Sequence, residues 1–584
     1  MKSFSSPLFI FRSLFLLQIS LTSPSSAQST GSRLRPHKRG DDDGLIGDRP
    51  HWKVGQAVGT SSGNIIGHAA PNVTKVSEYL GIPYAKPPVG NLRFAPPQRY
   101  KGKGDFVASK FSPDCPANTA DPALIDALTP LLYGPQSVRL LKELGQAGQA
   151  QSEDCLTLNI WTKPQVGDKA KAVLLWIYGG GFATGSSNNP AYIGQYFAEN
   201  QDVVVVTFNY RVNVFGFPGV PGVQDVAQNA GLMDQRLAVE WVRDNIENFG
   251  GDPDRITLFG QSAGGGSVDY YTYAYVNDPI VNAFIPQSGT VTSFGNPPPQ
   301  NNTAAWYNAT SALGCGNPGT PLAETITCVR TKPYQAVLNA IKVADPLAAV
   351  LGQFGPTSDN KVVFSDYGTR AARGEFIQRP YLVGNNNYEA GLFKILGITS
   401  NITNQEWCLF NAAVFTCPAA KAAEYRRRQE VNTWRYRYYG DFSNLRLSQN
   451  PPLGPSGAWH GAEIPVIWGT EVDASGVGDE RGEGQVSRYL QGLWADFAKD
   501  PENALYGDKY NLPDYRGDGK SLIEFAVNGE LVRTVYPNTT DSLCPLLEEI
   551  GRQFPGGIGG LLTSGGKIPP GLIPDTPLLC SPTS

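Results

Sequence analysis

The chain has 584 residues, of which 17% are charged and 11% aromatic, and its formal net charge is −4. This balance suits a large packed core and argues against a nucleic-acid-binding surface, so we expect no nucleic-acid partner. The length allows several ordinary domains, or one large domain with insertions.

The first 27 residues have the pattern of a secretory signal peptide. Lys2 and Arg12 precede the apolar run Ser13–Leu21, and the small residues 25–27 suit the signal peptidase. The apolar run is too short to span a bilayer. We predict a secreted, extracellular protein with no transmembrane segment.

A charged arm follows the predicted cleavage site. In residues 28–48 a basic patch ends in Lys38-Arg39 and is followed by three aspartates. Two interpretations stay open: a short propeptide with a dibasic processing site, or a disordered arm. Residues 49–584 are predicted to form a single domain.

The cysteines and glycosylation sequons agree with export. Eight cysteines without metal-type Cys-x-x-Cys spacing allow too many pairings for the sequence to choose among them. Proximity favours Cys315 with Cys328, Cys408 with Cys417 and Cys544 with Cys580, which leaves Cys115 for Cys155. Sequons predict glycosylation at Asn72, Asn301, Asn308, Asn401 and Asn538.

The segment from His51 to Tyr84 alternates and turns like a small antiparallel sheet. Within it, residues 59–63 match a Gly-x-Ser-x-Gly pattern. No buried strand precedes this match, so we interpret Ser61 as a turn residue.

An amphipathic stretch lies between Cys115 and Cys155. One helical face, interrupted by Pro130, carries Leu124, Ile125, Leu128, Leu131 and Leu132. Two interpretations are open. The stretch is either a surface helix docked on the core, or a mobile lid over an apolar pocket that brings the 115–155 loop to a lipid interface.

Continuous apolar runs then predict the strands of a main sheet. Such runs are typical of strands buried on both faces, and they occupy residues 172–178, 202–208, 256–259, 281–286 and 380–383. Helical patterns at 229–249 and 488–499 alternate with the runs. This order predicts an α/β fold with a large, mostly parallel central sheet flanked by helices.

Two further segments complete the predicted fold. Residues 290–375 are rich in Gly, Pro and Ala, which favours helical insertions over a separate domain. Residues 521–533 predict a terminal hairpin turned by Asn528-Gly529.

The strand at 256–259 leads into Gly260-Gln-Ser262-Ala-Gly264. This layout predicts a nucleophile elbow, a strained strand-to-helix turn that presents one serine hydroxyl above a sheet. Flanking glycines suit it, because the turn needs unusual backbone angles and a close approach of strand and helix. Ser262 is therefore the predicted nucleophile.

A serine nucleophile needs a base, and histidine is the usual one. Of four histidines only His460 follows the elbow, in a Gly-containing loop. The acid should lie between the serine and the histidine in chain order. Glu389, just after a predicted strand end, fits best, and Asp366 is the weaker alternative.

Backbone N–H groups free of side chains are needed to hold an oxyanion. Gly180 and Gly181, directly after a buried strand, and Ala263, after the nucleophile, are the predicted donors. No Gly-Lys-Ser/Thr follows to make a phosphate loop, and no histidine pair has metal-ligand spacing. We expect neither a metal nor an organic cofactor.

From about residue 50 onward the chain resembles the type-B carboxylesterases, the family of the cholinesterases and fungal lipases. The matching motifs are residues 81–90, 152–159, 178–182, 229–235, 260–264 and 494–498. The resemblance implies the α/β-hydrolase fold with helical insertions. It also implies the triad Ser262, Glu389 and His460, and the oxyanion hole Gly180, Gly181 and Ala263.

The resemblance implies further contacts. These are the disulfides Cys115–Cys155 and Cys315–Cys328, the ion pairs Arg93–Glu153 and Arg211–Asp234, and Ser288 as a partner of Glu389.

Two departures from the cholinesterases narrow the expected function. Gln261 stands where they carry Glu, and residues 116–154 lack the Trp that binds choline. We expect a serine hydrolase that cleaves small-molecule or lipid carboxylic esters through an acyl-enzyme. The alternatives are a lipase or sterol esterase with a mobile lid, and a catalytically inactive binding module.

Overall fold

Apolar runs form the strands of a central sheet in the computed structural model, which describes residues 52–164, 170–293, 301–351, 353–398 and 402–553. The predicted signal peptide, the 28–48 arm, Asn401 and Cys580 lie outside the described residues. The strands are β1 (Val58–Thr60), β2 (Gly63–Ile66), β3 (His68–Ala69), β4 (Ser77–Pro83), β5 (Asp105–Val107), β6 (Thr157–Thr162), β7 (Lys171–Ile177), β8 (Val204–Phe208), β9 (Gly251–Gln261), β10 (Ala283–Gln287), β11 (Tyr381–Asn386), β12 (Thr433–Tyr438), β13 (Leu522–Val527) and β14 (Glu530–Val535).

Eleven of the described strands form the main sheet, in the order β3-β4-β6-β8-β7-β9-β10-β11-β12-β13-β14. Every neighbouring pair from β8 to β13 is parallel. The pairs at the two edges are antiparallel, including the predicted terminal hairpin of β13 and β14. The predicted mostly parallel sheet is confirmed.

The N-terminal sheet differs in part from its prediction. Strands β1 and β2 are antiparallel, and Ser61 lies in the turn between them. However, β5 joins β2 in parallel, and β4 pairs with β6 in the main sheet. The sequence from 77 to 83 is buried along most of its length, so it takes a place inside the large sheet.

The helices are α1 (Pro122–Ala127), α2 (Pro135–Leu144), α3 (Gln195–Gln201), α4 (Asn213–Gly216), α5 (Ala230–Asn245), α6 (Ala263–Ala274), α7 (Thr303–Ala312), α8 (Leu322–Arg330), α9 (Tyr334–Ala340), α10 (Pro346–Leu351), α11 (Tyr367–Arg373), α12 (Ala390–Leu396), α13 (Asn404–Asn411), α14 (Cys417–Arg428), α15 (Glu463–Trp468), α16 (Glu471–Ser475), α17 (Glu483–Lys499), α18 (Asn538–Asp541) and α19 (Cys544–Gln553). Short 3₁₀ turns span Gly90–Leu92, Thr129–Leu131, Pro190–Tyr192, Ile246–Phe249 and Ser443–Leu445, and a π-helical turn spans Ala412–Thr416.

The helices predicted at 229–249 and 488–499 are present as α5 and α17, and several helices pack on the sheet. Helices α3, α5, α6, α14 and α17 contact its strands. The region predicted as helical insertions holds α7 to α11. Among the described residues we find no candidate for a membrane-spanning helix.

The amphipathic stretch between Cys115 and Cys155 is shorter than predicted. Helix α1 ends at Ala127, because Pro130 follows and lacks the N–H that a continuing helix needs. Ile125 is buried, whereas the Leu124 side chain is 58% exposed. The five leucine and isoleucine residues therefore do not share one buried face.

Three disulfides have both cysteines among the described residues: Cys115–Cys155, Cys315–Cys328 and Cys417–Cys544. The expected pairs Cys408–Cys417 and Cys544–Cys580 are therefore wrong. Cys408 is itself disulfide-bonded. Proximity along the chain misled the prediction, because helix α19 returns to α14 over a separation of 127 residues.

The two ion pairs implied by the resemblance are also present. Nε of Arg93 lies 2.6 Å from Oε1 of Glu153. Nη2 of Arg211 lies 2.7 Å from Oδ1 of Asp234, and both of these side chains are buried.

Candidate active site

Ser262 occupies a sharp turn between β9 and α6 at the carboxyl end of the sheet. Its backbone has φ 59° and ψ −124°, a strained conformation for a residue with a side chain. The Ser262 N–H donates to the carbonyl of Gln287 at the end of β10, at 2.8 Å. The neighbouring strand thus holds the turn in its strained shape.

Close packing explains the glycine two residues after the serine. A Cβ on Gly264 would lie 2.0 Å from the carbonyl oxygen of Ile177 in β7. No side chain fits there, because α6 begins directly against the strand. The small residues of the motif therefore let the helix start where the turn requires it.

His460 and Glu389 are hydrogen-bonded to each other. Nδ1 of His460 lies 2.6 Å from Oε2 of Glu389. His460 lies in the loop before α15, and Glu389 directly precedes α12, three residues after β11 ends. With the Nδ1 proton directed at the carboxylate, Nε2 of the ring is left as an acceptor.

The Glu389 carboxylate is fully buried and held by two further donors. The Ser288 hydroxyl donates to Oε1 at 2.7 Å, and the backbone N–H of Asn386 donates to the same oxygen at 2.7 Å. These contacts leave the carboxylate one orientation, with Oε2 facing the histidine.

Several residues around His460 were not predicted from the sequence. Nε2 of Gln261 lies 3.2 Å from Nε2 of the histidine. The rings of Phe393 and Phe415 lie 5.1 and 4.8 Å from the imidazole, between centroids. Phe415 belongs to the π-helical turn, and no local sequence pattern indicated its position.

A second buried carboxyl group lies beside this pair. Burial, together with the nearby charge of Glu389, raises the pKa of Glu463 to about 8. The side-chain amides of Asn386 and Gln287 donate to Glu463. At neutral pH Glu463 is therefore mostly protonated.

The predicted oxyanion donors lie at the carboxyl ends of β7 and β9. Gly180 and Gly181 have φ values of 107° and 63°, which favour glycine. A Cβ on the preceding Gly179 would lie 2.7 Å from Cβ of Ser262, so this loop adjoins the serine. Ala263 is the first residue of α6, where an N–H has no acceptor within the helix.

The alternative site residues lie elsewhere. Asp366 precedes α11 and pairs with Arg370 at 2.8 Å on the surface. Ser61 lies in the N-terminal turn, and its N–H donates to Asn245. Across the described ranges, no group of three or more His, Cys, Asp or Glu side chains is arranged to hold a metal ion.

A strained serine at the end of a parallel strand, with a buried His–Glu pair beside the same sheet, defines the α/β-hydrolase class. The chain belongs to the carboxylesterase family, whose sequence profile matches residues 54–407. It is a carboxylic ester hydrolase.

Three relatives show how far the similarity extends. Chlorogenic acid esterase of Aspergillus niger is 32% identical over 84% of this chain and 94% of its own length. Secreted lipase 5 of Gibberella zeae is 32% identical over 81% and 91%. Cholinesterase of Mus musculus is 31% identical over 77% and 80%.

Proposed function

We propose that the chain is a secreted serine esterase whose triad is Ser262, His460 and Glu389. The observation that carries this proposal is the 2.6 Å hydrogen bond between Nδ1 of His460 and Oε2 of Glu389. The strained turn that presents Ser262 supports it.

In the proposed reaction, Nε2 of His460 takes the proton of the Ser262 hydroxyl as its oxygen attacks the ester carbonyl. Glu389 keeps the imidazole in the required tautomer and stabilises the cation that forms. His460 then protonates the leaving alcohol. Water, activated by the same histidine, releases the acid and regenerates the serine.

The backbone N–H groups of Gly180, Gly181 and Ala263 are the proposed donors to the oxyanion. Their location beside Ser262 supports this role. Such donors stabilise charge that develops only in the transition state, and removing one typically costs about 10²–10³-fold in kcat. Neither a metal nor an organic cofactor enters the proposed reaction.

Secretion and a single domain over residues 49–584 are part of the same proposal. The signal-peptide pattern and the disulfides support export, because disulfides persist in oxidising compartments. The sequon residues Asn72, Asn301, Asn308 and Asn538 are all exposed, as glycosylation requires.

The substrate is proposed to be a small-molecule carboxylic ester. A lipid ester is the second candidate, and exposed apolar side chains in the 115–155 segment favour it. Leu124 is 58% and Tyr133 37% exposed, so both are available to a lipid interface. We do not expect choline esters, because this segment has no tryptophan.

An ester panel on the secreted protein, run beside Ser262→Ala, tests the proposal. The panel contains p-nitrophenyl esters from acetate to palmitate, and acetylthiocholine. We expect turnover that falls by several orders of magnitude in the variant, and labelling of the wild type alone by a fluorophosphonate.

The dependence of the rate on acyl chain length separates the small-molecule esterase from the lipase and from the inactive binding module. A preference for short chains supports the small-molecule esterase. A preference for long chains, with higher rates on emulsified than on dissolved ester, supports the lipase. No turnover and no labelling would leave the inactive binding module as the better explanation.

A further inference from the structure

We propose that Gln146 is a positioning residue that holds the oxyanion loop, defined as residues 179–185, in its working shape. This inference rests on the proposed function, because it assigns a role to the loop that contains Gly180 and Gly181. It gives part of the 115–155 segment a function other than that of a lid.

The backbone of Gln146 is unusual for its residue type. Gln146 follows α2 and has φ 52°, in the left-handed region that non-glycine residues seldom adopt. Its side chain is only 3% exposed. Strain of this kind persists where surrounding contacts impose it, and it points to a positional requirement.

Both ends of the Gln146 amide are hydrogen-bonded. Oε1 accepts from the backbone N–H of Gly185 at 2.7 Å, and also from the hydroxyl of Thr184. Nε2 donates to Oδ2 of Asp114 at 2.6 Å. A residue of the 115–155 segment therefore reaches into the core and binds the end of the oxyanion loop.

Asp114 determines which way the amide points. Its carboxylate also accepts from the side chains of Ser186 and Asn188. The donors therefore converge on the two carboxylate oxygens, and the amide presents Nε2 to Asp114. Oε1 is thereby directed at Thr184 and Gly185.

Thr184, which is bound by Gln146, directly contacts Gly180 of the oxyanion loop. The N–H groups of Ala183 and Thr184 donate to the carbonyl of Gly180, at 3.0 and 3.1 Å. A Cβ on Gly180 would lie 2.4 Å from the carbonyl oxygen of Thr184. Any displacement of Thr184 is therefore transmitted to Gly180.

Gly185 makes the second contact of the same kind. A Cβ on Gly185 would lie 2.4 Å from the carbonyl oxygen of Gly179. The two ends of the loop are thus packed backbone against backbone. No side chain lies between the two ends to take up movement. By holding Gly185 at the end of the loop, the Gln146 amide therefore also fixes Gly179 at its start.

The test replaces the amide with an apolar group of similar size. We expect Gln146→Leu to lower kcat at least about tenfold with little change in KM, because small misplacement of catalytic donors weakens transition-state stabilisation. The rate of fluorophosphonate labelling should fall with kcat. Backbone amides of residues 179–185 should exchange hydrogen faster.

Gln151→Leu is the matched control. Gln151 lies in the same segment, and among the described residues its amide bonds only to the backbone of Ala117, at 3.0 and 3.3 Å. Gln151→Leu removes the same side-chain amide, at a position that does not contact the oxyanion loop. We expect wild-type kcat, labelling and amide exchange at residues 179–185.

A charge swap keeps the test decisive if Gln146→Leu does not fold. Gln146→Glu alone opposes two carboxylates and should lower kcat. The double variant Asp114→Asn with Gln146→Glu restores one donor and one acceptor between the two side chains, and it should recover most of the activity. Loss in the single variant with recovery in the double is not expected of a purely structural residue.

The inference would be overturned if Gln146→Leu showed the kcat, the labelling rate and the amide exchange of the wild type. It would also be overturned if the double variant Asp114→Asn with Gln146→Glu recovered no activity. Failure of the proposed function looks different. In that case the wild type itself neither turns over esters nor reacts with the probe. Amide exchange at residues 179–185 would still decide whether Gln146 holds the loop.

Discussion

Nδ1 of His460 lies 2.6 Å from Oε2 of Glu389, although 71 residues separate them along the chain. The carboxylate is fully buried and the histidine is 6% exposed. Ser288 and the backbone of Asn386 hold the other carboxylate oxygen. The imidazole is therefore oriented by a carboxylate that is itself fixed.

Glu389→Gln should lower kcat by roughly 10³- to 10⁴-fold while the protein stays folded. An amide in this place no longer enforces the tautomer that leaves Nε2 free to accept a proton. Asp366→Asn, at the alternative acid, is the control. Asp366 is 48% exposed and bonded to Arg370, so esterase rates should not change. Equal losses in the two variants would contradict the assignment.

Gly264→Ala should lower the midpoint of thermal unfolding and the soluble yield. The added Cβ would lie 2.0 Å from the carbonyl oxygen of Ile177. Relieving this overlap requires the backbone of β7 to move, which is destabilising. At Gly266 the nearest atoms to an added Cβ are 3.7 and 3.8 Å away. Gly266→Ala should therefore leave the midpoint unchanged or raise it, since alanine favours the helix. A lower midpoint for Gly266→Ala than for Gly264→Ala would show that the elbow is loosely packed.

Stability should fall as pH rises from about 4.5 to about 8. Burial raises the pKa of Glu463 from 4.5 to about 8, so in this window the folded chain binds a proton that the unfolded chain releases. Glu471 and Glu483 act in the same direction, because burial raises their pKa values to about 8 and about 7.

Glu463→Gln should therefore show a smaller decrease in unfolding midpoint between pH 5 and pH 8 than the wild type does. Thermal unfolding followed at several pH values measures the difference. Glu548→Gln, on the surface beside Lys421, is the control and should retain the full decrease. If the Glu463 variant and the wild type gave parallel curves, Glu463 would be ionised across the whole window.

Peptide mapping without reduction should recover a fragment that joins Cys417 to Cys544. Fragments joining Cys115 to Cys155 and Cys315 to Cys328 serve as internal references. Loss of the Cys417–Cys544 bond in Cys544→Ser should destabilise the chain by about 4 kcal/mol or more in a chain-entropy account, because the closed loop is long. Recovery of a Cys408–Cys417 fragment instead would contradict the placement of α19 against α14.

Much of the fold follows from patterns that are local in the sequence. Continuous apolar runs predicted β7, β8 and β11, because a strand buried on both faces needs apolar side chains in both directions. The elbow also follows from a local pattern, because glycines stand where the turn needs unusual backbone angles and where strand and helix approach each other closely. A chain with only four histidines also leaves few choices of base.

By itself, the sequence determined the class of fold, the serine at the elbow, and the candidate base and acid. Only the tertiary structure decided that Cys417 bonds Cys544, that Phe415 packs on the His460 ring, and that the Gln146 amide reaches the oxyanion loop. The physical reason is the range of the interactions. Backbone geometry and burial leave a periodic local signal, whereas contacts between distant segments depend on where the whole chain brings them together.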